Sequence, residues 1–571
     1  MQKKWQLFEP DETLAQTISQ ELNLSPLITK LLINRGIKSV AEAEVFLNPR
    51  LAHLRDPLEI PNIQSAARRV LEAKSKGEKV LVFGDYDVDG VTGTAILVHS
   101  LRFLGIDTSY YIPQRYGEGY SLSLEAIKKI AATGTKLIIT VDCGIASFIE
   151  IEEANALGLQ VIVTDHHNLP RQLPRAYAIV NPKMIQDHHP SKNLSGAGVA
   201  FKFAWALMRA AGIKESDFLL SLLDLAALGT IADVVPLTEE NRILAVSGLS
   251  VINERKRPGL KHLMEAASLS GKIVVDNIYF ALAPRINAAG RIEQASKSVD
   301  LLLSTDPAEA RALARELNKI NARRQDIGSA IKEEVFARLE ESYVAEKKLV
   351  VLSGENWHPG VIGIIASQVV DRYFRPAVLI GINDGMGRGS ARSIEGFNIY
   401  QILDSCHDLF LDFGGHAGAA GFKIAPENIP ELERRLLGAI ETSISPEILV
   451  PKVKIDAEIN PATITLSLIK ELEKIGPHGE GNVAPVYMSR NLRLVELRKV
   501  GRGGKHLKAK FSDGNISLEA VGFGLGHMAS QLAYDRSYDL AYELGANEWN
   551  GFEMAQLSLV DIRERNEGEG L

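Results

Sequence analysis

Four short apolar runs set the pattern of the first half of the chain: KVLVFG at 79–84, KLIITV at 136–141, LQVIVT at 159–164 and YAIV at 177–180. Each is rich in β-branched residues and too short for a buried helix, so each predicts a strand. Between them lie TGTAILVHSLRFLG and ASFIEIEEANALG, whose apolar positions recur every three or four residues as on a helix face. Near-continuous apolar strands alternating with helices predict a largely parallel sheet covered on both faces. Residues 1–55 predict a small helical cap, with SPLITKLLINRGIKSVAEAEVFL broken at Gly36.

Further on, DPAEARALARELNKINARRQDIGSAIKEEVFARLEE at 306–341 carries Pro307 near its start and Gly328 as its only breakers. It predicts a helix of about 54 Å at 1.5 Å per residue, long enough to connect two lobes. A second α/β pattern runs through KKLVVLSG, GVIGIIASQVVDRYF and PAVLIG to the glycine-rich FGGHAGAAGF at 413–422. From about 446, alternating runs such as YMSRNLRLVELRKV, HLKAKFS and ISLEAVGFG are bounded by turn residues and predict a small β-barrel. The expected organisation is an α/β multidomain chain: a cap at 1–55, a parallel-sheet lobe at 56–305, a connecting helix at 306–345, a second α/β lobe at 346–445, and a barrel with a short tail at 446–571.

The strand runs end on polar residues, Asp85, Asp142, Asp165 and Asn181. Ligands of open parallel sheets bind beyond the carboxyl ends of the strands, so these side chains are expected on one rim. The overall charge of −7 argues against indiscriminate coating of nucleic acid. One segment reverses that sign: residues 490–510 hold eight Lys/Arg against one Glu, a net of +7. The two cysteines, Cys143 and Cys406, make no CxxC spacing and fit a reducing compartment. The opening MQKKWQLFEPDETLAQ lacks the apolar core of a signal peptide, and no apolar stretch is long enough to span a bilayer, so a cytoplasmic protein with no membrane partner is expected.

GDYDVDG at 84–90 sets Asp85, Asp87 and Asp89 at alternate positions between a strand and a helix. Carboxylates this close repel unless cations neutralise them, and oxygen-rich clusters suit Mg²⁺ or Mn²⁺. A calcium-binding loop of the EF-hand type would need a Glu at its twelfth position, where this chain has Ile96. A solvated turn with a helix cap is the other reading of that motif alone. TDHH at 164–167 adds His166 and His167 beside Asp165, bringing imidazoles to a rim where cations are already required.

GDYDVDG, VDCGI at 141–145, TDHH and GTIADVVPL at 229–237 stand in the order of a four-motif signature, by which the chain resembles the DHH phosphoesterase superfamily. PRINAAGR at 284–291, LNKINARRQ at 317–325 and WHPGVIGIIASQ at 357–368 narrow the resemblance to its RecJ exonucleases. The resemblance implies two divalent cations, Mn²⁺ or Mg²⁺. It implies Asp87, Asp142 and Asp233 around one ion and Asp89, Asp142 and His166 around the other, with Asp142 shared. Asp85 and Asp165 are expected to orient ligands, and His167 to contact a substrate phosphate or donate a proton. The implied activity is 5′-to-3′ hydrolysis of single-stranded DNA to 5′-mononucleotides, in DNA repair and recombination.

For substrate grip, GRGSARS at 387–393 offers Arg388, Ser390 and Arg392, since a guanidinium forks onto phosphate oxygens. Arg115 resembles part of the family's end-phosphate pocket, and His416 its glycine-rich phosphate contact. Arg285 and Arg291 are expected along the route to the metals, or paired with an Asp. The barrel resembles an OB fold, with Tyr487, Phe511 and Phe523 as the aromatics available for stacking, while GPHGEGNVAP at 476–485 and its His478 are expected to shape a turn. A monomer is expected, with a single-strand-binding protein and a helicase as partners. Two alternatives stand: a DHH phosphodiesterase of short oligonucleotides or cyclic dinucleotides, and a catalytically inactive DNA-binding scaffold.

Overall fold

The computed structural model describes residues 3–114, 121–214, 216–339, 347–549 and 552–565. They fall into two compact units, one of residues 5–286, 295–314 and 453–571, the other of residues 1–4, 287–294 and 315–452.

The larger unit holds a five-stranded parallel sheet of Lys79–Gly84, Thr108–Tyr111, Thr135–Val141, Gln160–Thr164 and Ala178–Val180. Apart from the edge strand Thr108–Tyr111, these strands are buried on both faces, as their unbroken apolar runs require. In chain order the strands lie 2-1-3-4-5 across the sheet. Strand order therefore reverses between the first strand and the third, and the crevice of such a sheet opens at that switch point, beyond the carboxyl ends. Asp85 follows the first strand and Asp142 the third. Helices Val88–Phe103, Gly196–Ala210 and Leu223–Ala232 pack on one another beside the sheet.

The same unit contains a closed five-stranded barrel. Tyr487–Val500 pairs with His506–Ser512, then Ser517–Gly522, Phe552–Glu564 and Ser537–Trp549 follow, and the last pairs back onto the first. Strand alternation decides which aromatics face inward. Tyr487 and Phe511, read from sequence as stacking candidates, are 1% and 0% exposed and belong to the core, whereas Phe523 is 71% exposed. The N-terminal helices Glu12–Leu22, Pro26–Asn34 and Val40–Leu47 share this core: Ile18, Ile28, Leu31 and Phe46 lie in one cluster with Tyr487, Phe511 and Tyr538.

Buried polar groups join the barrel to its neighbours. Arg242 donates to Phe46 O at 2.7 Å and Gly476 O at 2.6 Å, with its guanidinium 3.9 Å from the Phe46 ring centroid. Arg35 reaches Asp456 at 3.1 Å, Asn482 at 2.8 Å and Val483 O at 2.8 Å. The GPHGEGN segment is thus a structural joint, and burial, aided by the Arg35 charge, holds the His478 imidazole down at about 4.

The smaller unit holds a mixed five-stranded sheet, in the order Phe410–His416, Ala419–Ile424, Met386–Arg392, Ala377–Asn383, Val350–Glu355, with only the last pair parallel. FGGHAGAAGF forms the hairpin of the first two strands. The long helix runs Pro307–Arg338, 32 residues or about 48 Å, and its residues pass from one unit into the other at 314–315.

Lys202 and Glu240 form a fully buried ion pair at 2.6 Å. Lys202 also donates to Arg55 O at 2.6 Å, and Glu240 accepts from Arg55 N and the Ser191 hydroxyl. Lys202→Met leaves the Glu240 charge without its buried cation, and we expect a loss of about 3–5 kcal/mol in urea unfolding. Adding Glu240→Gln, which keeps the acceptor for Arg55 and Ser191, should recover part of it; a single variant as stable as the parent would rule out this role.

Candidate metal centre

Each strand-end aspartate continues the ladder by one residue. Asp85 N donates to Val141 O, Asp142 N to Thr164 O and Asp165 N to Val180 O. The sheet itself therefore delivers the three carboxylates to the rim. Asp142 takes this place at φ 60°, a left-handed conformation that non-glycine residues adopt at a cost of order 1–3 kcal/mol. Val234, just after Asp233, stands at φ 62°, which is more unfavourable for a β-branched side chain.

The remaining acids come from helix ends. Asp87 caps Val88–Phe103 by accepting from Gly90 N at 3.1 Å, so the capping role weighed for this motif is real and coexists with a place in the cluster. Asp89 lies in the first turn of that helix and is buried. Its two oxygens accept from Gly196 N at 2.5 Å and Ala197 N at 2.9 Å, at the start of Gly196–Ala210. This approach needs glycine, because a Cβ on Gly196 would lie 2.7 Å from the Asp142 Cβ and 2.8 Å from an Asp89 oxygen. Asp233 caps the carboxyl end of Leu223–Ala232.

His166 sits among them, its Nε2 3.0 Å from Asp142, 3.6 Å from Asp233 and 3.8 Å from Asp89. Three sets of side chains bring potential ligand atoms within 4.8 Å of one another: Asp85, Asp87 and Asp142; Asp89, His166 and Asp233; Asp142, His166 and His167. Asp165 is directed elsewhere. Its carboxylate accepts from Ile145 N, His166 N, His167 N and His167 Nδ1, the last at 2.8 Å. Burial alone would raise the Asp165 carboxyl, but the His167 hydrogen bond and charge hold it below its ordinary value. The His167 ring faces the opposite balance and is raised, the Asp165 bond outweighing burial.

Electrostatics tests whether cations fit. Burial, then the repulsion of Asp87, pushes Asp89 up to about 7, and burial with the charges of Asp89, Asp87 and Asp85 pushes Asp233 up to about 9. Asp142 rises for the same reasons, and burial depresses His166 to about 4, leaving a neutral imidazole. The buried Asp233 Oδ2 and His166 Nε2 have no hydrogen-bond partner among the described residues. Inward-facing carboxylates and a neutral imidazole, held in place by hydrogen bonds, are the donor set of a hard divalent cation site.

The candidate grip residues mostly lie in the smaller unit. Arg388, Ser390 and Arg392 alternate along one strand, and Arg392, Ala419 and His416 form one cross-strand row, so all four polar residues share a face of the sheet. Ser390 accepts from Arg392 Nη1 at 3.2 Å, and both side chains lie against Gly363 of helix Pro359–Tyr373. Arg291 donates to Gly360 O at 3.2 Å, beside the same helix. Arg285, in the larger unit, donates to Ala281 O in its own preceding turn. Arg115 lies outside the described residues. The backbone amides of Gly196 and Ala197 are the element that sequence reading missed; SGAGVA, a serine cap followed by glycine at a helix start, was its available signal.

A switch-point crevice lined by aspartates and histidines defines this lobe as a divalent-metal phosphoesterase of the DHH type. Residues 79–230 match the DHH family N-terminal domain, 346–442 the DHHA1 domain and 455–561 the RecJ OB domain. The chain is 38% identical over 561 residues to the single-stranded-DNA-specific exonuclease RecJ of Bacillus subtilis, covering 98% of this chain and 70% of that protein. It is 35% identical to the RecJ of Escherichia coli, covering 96% and 97%. The crystal structure of RecJ with Mn²⁺ from Thermus thermophilus superposes with a TM-score of 0.86 at 32% identity, covering 99% of this chain and 80% of that one, and a Mg²⁺ complex of RecJ from that organism also matches. The chain belongs to the RecJ family.

The raised carboxylates set a sign for stability. Above pH 6.5 free histidines are neutral, while folded Asp233, near 9, still holds a proton that the unfolded chain has released. Stability conferred by that proton is present at low pH and lost as pH rises through about 9. The metal-free protein should therefore lose thermal stability from pH 7 to 9, and the gain in Tm on adding Mn²⁺ should grow over that interval. A gain independent of pH would contradict the electrostatic description.

Proposed function

We propose that the chain hydrolyses single-stranded DNA from the 5′ end, releasing 5′-mononucleotides, in DNA repair and recombination. The observation that carries this reading is the acidic switch-point crevice, with His166 3.0 Å from Asp142, in a chain related over nearly its whole length to exonucleases named for that substrate. In this reading Asp87, Asp142 and Asp233 hold one cation and Asp89, Asp142 and His166 the other. Bound Mn²⁺ or Mg²⁺ supplies a water of lowered pKa and neutralises charge developing at phosphorus.

The chain's own groups do the positioning. Gly196 and Ala197 fix Asp89 through their amides, and Asp165 fixes the loop of both histidines. With Nδ1–H held by Asp165, His167 turns Nε2 to the substrate, as a phosphate contact or as proton donor to the departing 3′ oxygen. Asp85 orients the ligands from the neighbouring strand end. In this reading Arg388, Ser390, Arg392 and His416, on one sheet face, are phosphate contacts, as are Arg285 and Arg291, and Arg115, Ser390 and Arg392 recognise the terminal 5′-phosphate. The division into cap, phosphoesterase lobe, connecting helix, DHH-associated lobe and barrel at 55/56, 305/306, 345/346 and 445/446 belongs to the same reading.

We further propose a cytoplasmic monomer, acting on strands opened by a helicase and covered by single-strand-binding protein. Among the described residues no helix is long and apolar enough to cross a membrane.

The test is Mn²⁺-dependent release of mononucleotides from single strands bearing a 5′-phosphate or a 5′-hydroxyl, from strands with a blocked 5′ end, and from duplex. Release from free 5′ ends of single strands is expected; no release from any substrate would sink the enzyme reading, and release from blocked 5′ ends the polarity. Asp142→Ala should abolish turnover while strand binding, followed by fluorescence anisotropy, is largely kept. Arg392→Ala should lower the preference for a 5′-phosphate by roughly tenfold or more, the scale of a charged hydrogen bond; an unchanged preference would move the pocket elsewhere.

A further inference from the structure

Among the described residues of the barrel region, the most exposed aromatic ring is one whose exposure the core does not explain. Phe523 follows strand Ser517–Gly522 and is 71% exposed, while the barrel aromatics Tyr487, Phe511, Tyr538 and Tyr542 are all buried. Its surroundings are built rather than loose. The His506 ring meets Phe523 edge-on, with centroids 5.5 Å apart and planes at 70°. Gly524, at φ 77°, donates its amide to His506 Nδ1 at 3.0 Å, so the residue after Phe523 is tied to the ring that supports it.

Two glycines bring the neighbouring loop against this frame. A Cβ on Gly501 would lie 2.6 Å from the His506 ring, and one on Gly526 would lie 2.0 Å from Gly504 O. Gly526 N also donates to Lys505 O at 3.0 Å, joining the turn after Phe523 to the basic loop. That loop presents Lys499, Arg502 and Lys505 to solvent within the segment of net charge +7. An exposed aromatic face held rigidly beside cations is the pairing by which proteins bind unpaired nucleotides: phosphates take the cations, and a base covers the ring.

We propose that Phe523, supported by His506, is a base-stacking platform of the barrel, taking one unpaired base of a DNA strand whose phosphates lie along the 499–505 loop. This inference rests on the single-strand reading above and adds a contact to the base rather than the backbone. Stacking is indifferent to base identity, so the platform steadies the strand without selecting sequence.

The experiment compares two strands of equal length, one of ordinary nucleotides and one of abasic tetrahydrofuran units, binding to the metal-free full-length protein by fluorescence anisotropy. The parent protein should prefer the ordinary strand. Phe523→Ala should weaken that strand by roughly tenfold and leave the abasic strand unchanged, while Phe523→Trp keeps the preference. A Phe523→Ala protein that holds the ordinary strand as tightly as the parent overturns the proposal. So does one that loses both strands equally, because the ring would then act through folding or phosphate contacts. If the parent binds neither strand, the single-strand reading fails together with the platform; if it binds both but Phe523→Ala changes neither, the platform alone fails.

Discussion

Like charges converging in a buried crevice are the constraint around which the larger unit is organised. Asp85, Asp87, Asp89, Asp142 and Asp233 meet where water is scarce, and burial with mutual repulsion drives several of them far above the usual carboxylate range. The local structure answers that repulsion in three ways. Amides at the start of one helix neutralise part of Asp89, glycines let the backbones approach, and left-handed residues at 142 and 234 hold side chains where relaxed backbone would not. What is left over is satisfied by divalent cations, so affinity for metal and strain in the apoprotein are two aspects of one arrangement.

Asp165 shows how neighbours in sequence separate in role. His166 and His167 follow it directly, yet its oxygens are occupied by the loop it stabilises, whereas His166 faces the other acids. The DHH motif thus packs an internal brace and a site-facing imidazole into consecutive residues. Strand geometry permits this, because the chain leaves the sheet at that point and is free to turn.

Much of this was legible in the residues and some was not. The parallel strands were, since their apolar runs are continuous and end on polar residues, and so was the break at Gly36, which adopts φ 84°. Strand order was not, because apolar runs carry no record of their neighbours; only the 2-1-3-4-5 order explains why the first and third strand ends form the crevice. Tyr487 and Phe511 looked like ligand-facing aromatics because composition ignores parity along a strand, and register alone sent them inward. FGGHAGAAGF was legible only as a glycine-rich stretch around His416, and it proved to be a hairpin that sets His416 in one row with Arg392. The amides of Gly196 and Ala197 went unread because their signal, the Ser195 cap and the glycine after it, marks a helix start without showing which carboxylate that start meets.

The shared core of the N-terminal helices and the barrel bears on how the chain is made. Ile18, Ile28 and Phe46 leave the ribosome far ahead of the strands that bury them, which run from Tyr487 to Ile562. Contacts of such sequence separation close late and carry a large loop-closure entropy. During synthesis these helices wait with their apolar faces uncovered while the parallel sheet forms between them and the barrel, so a chain broken off ahead of the barrel would leave those faces exposed to quality control.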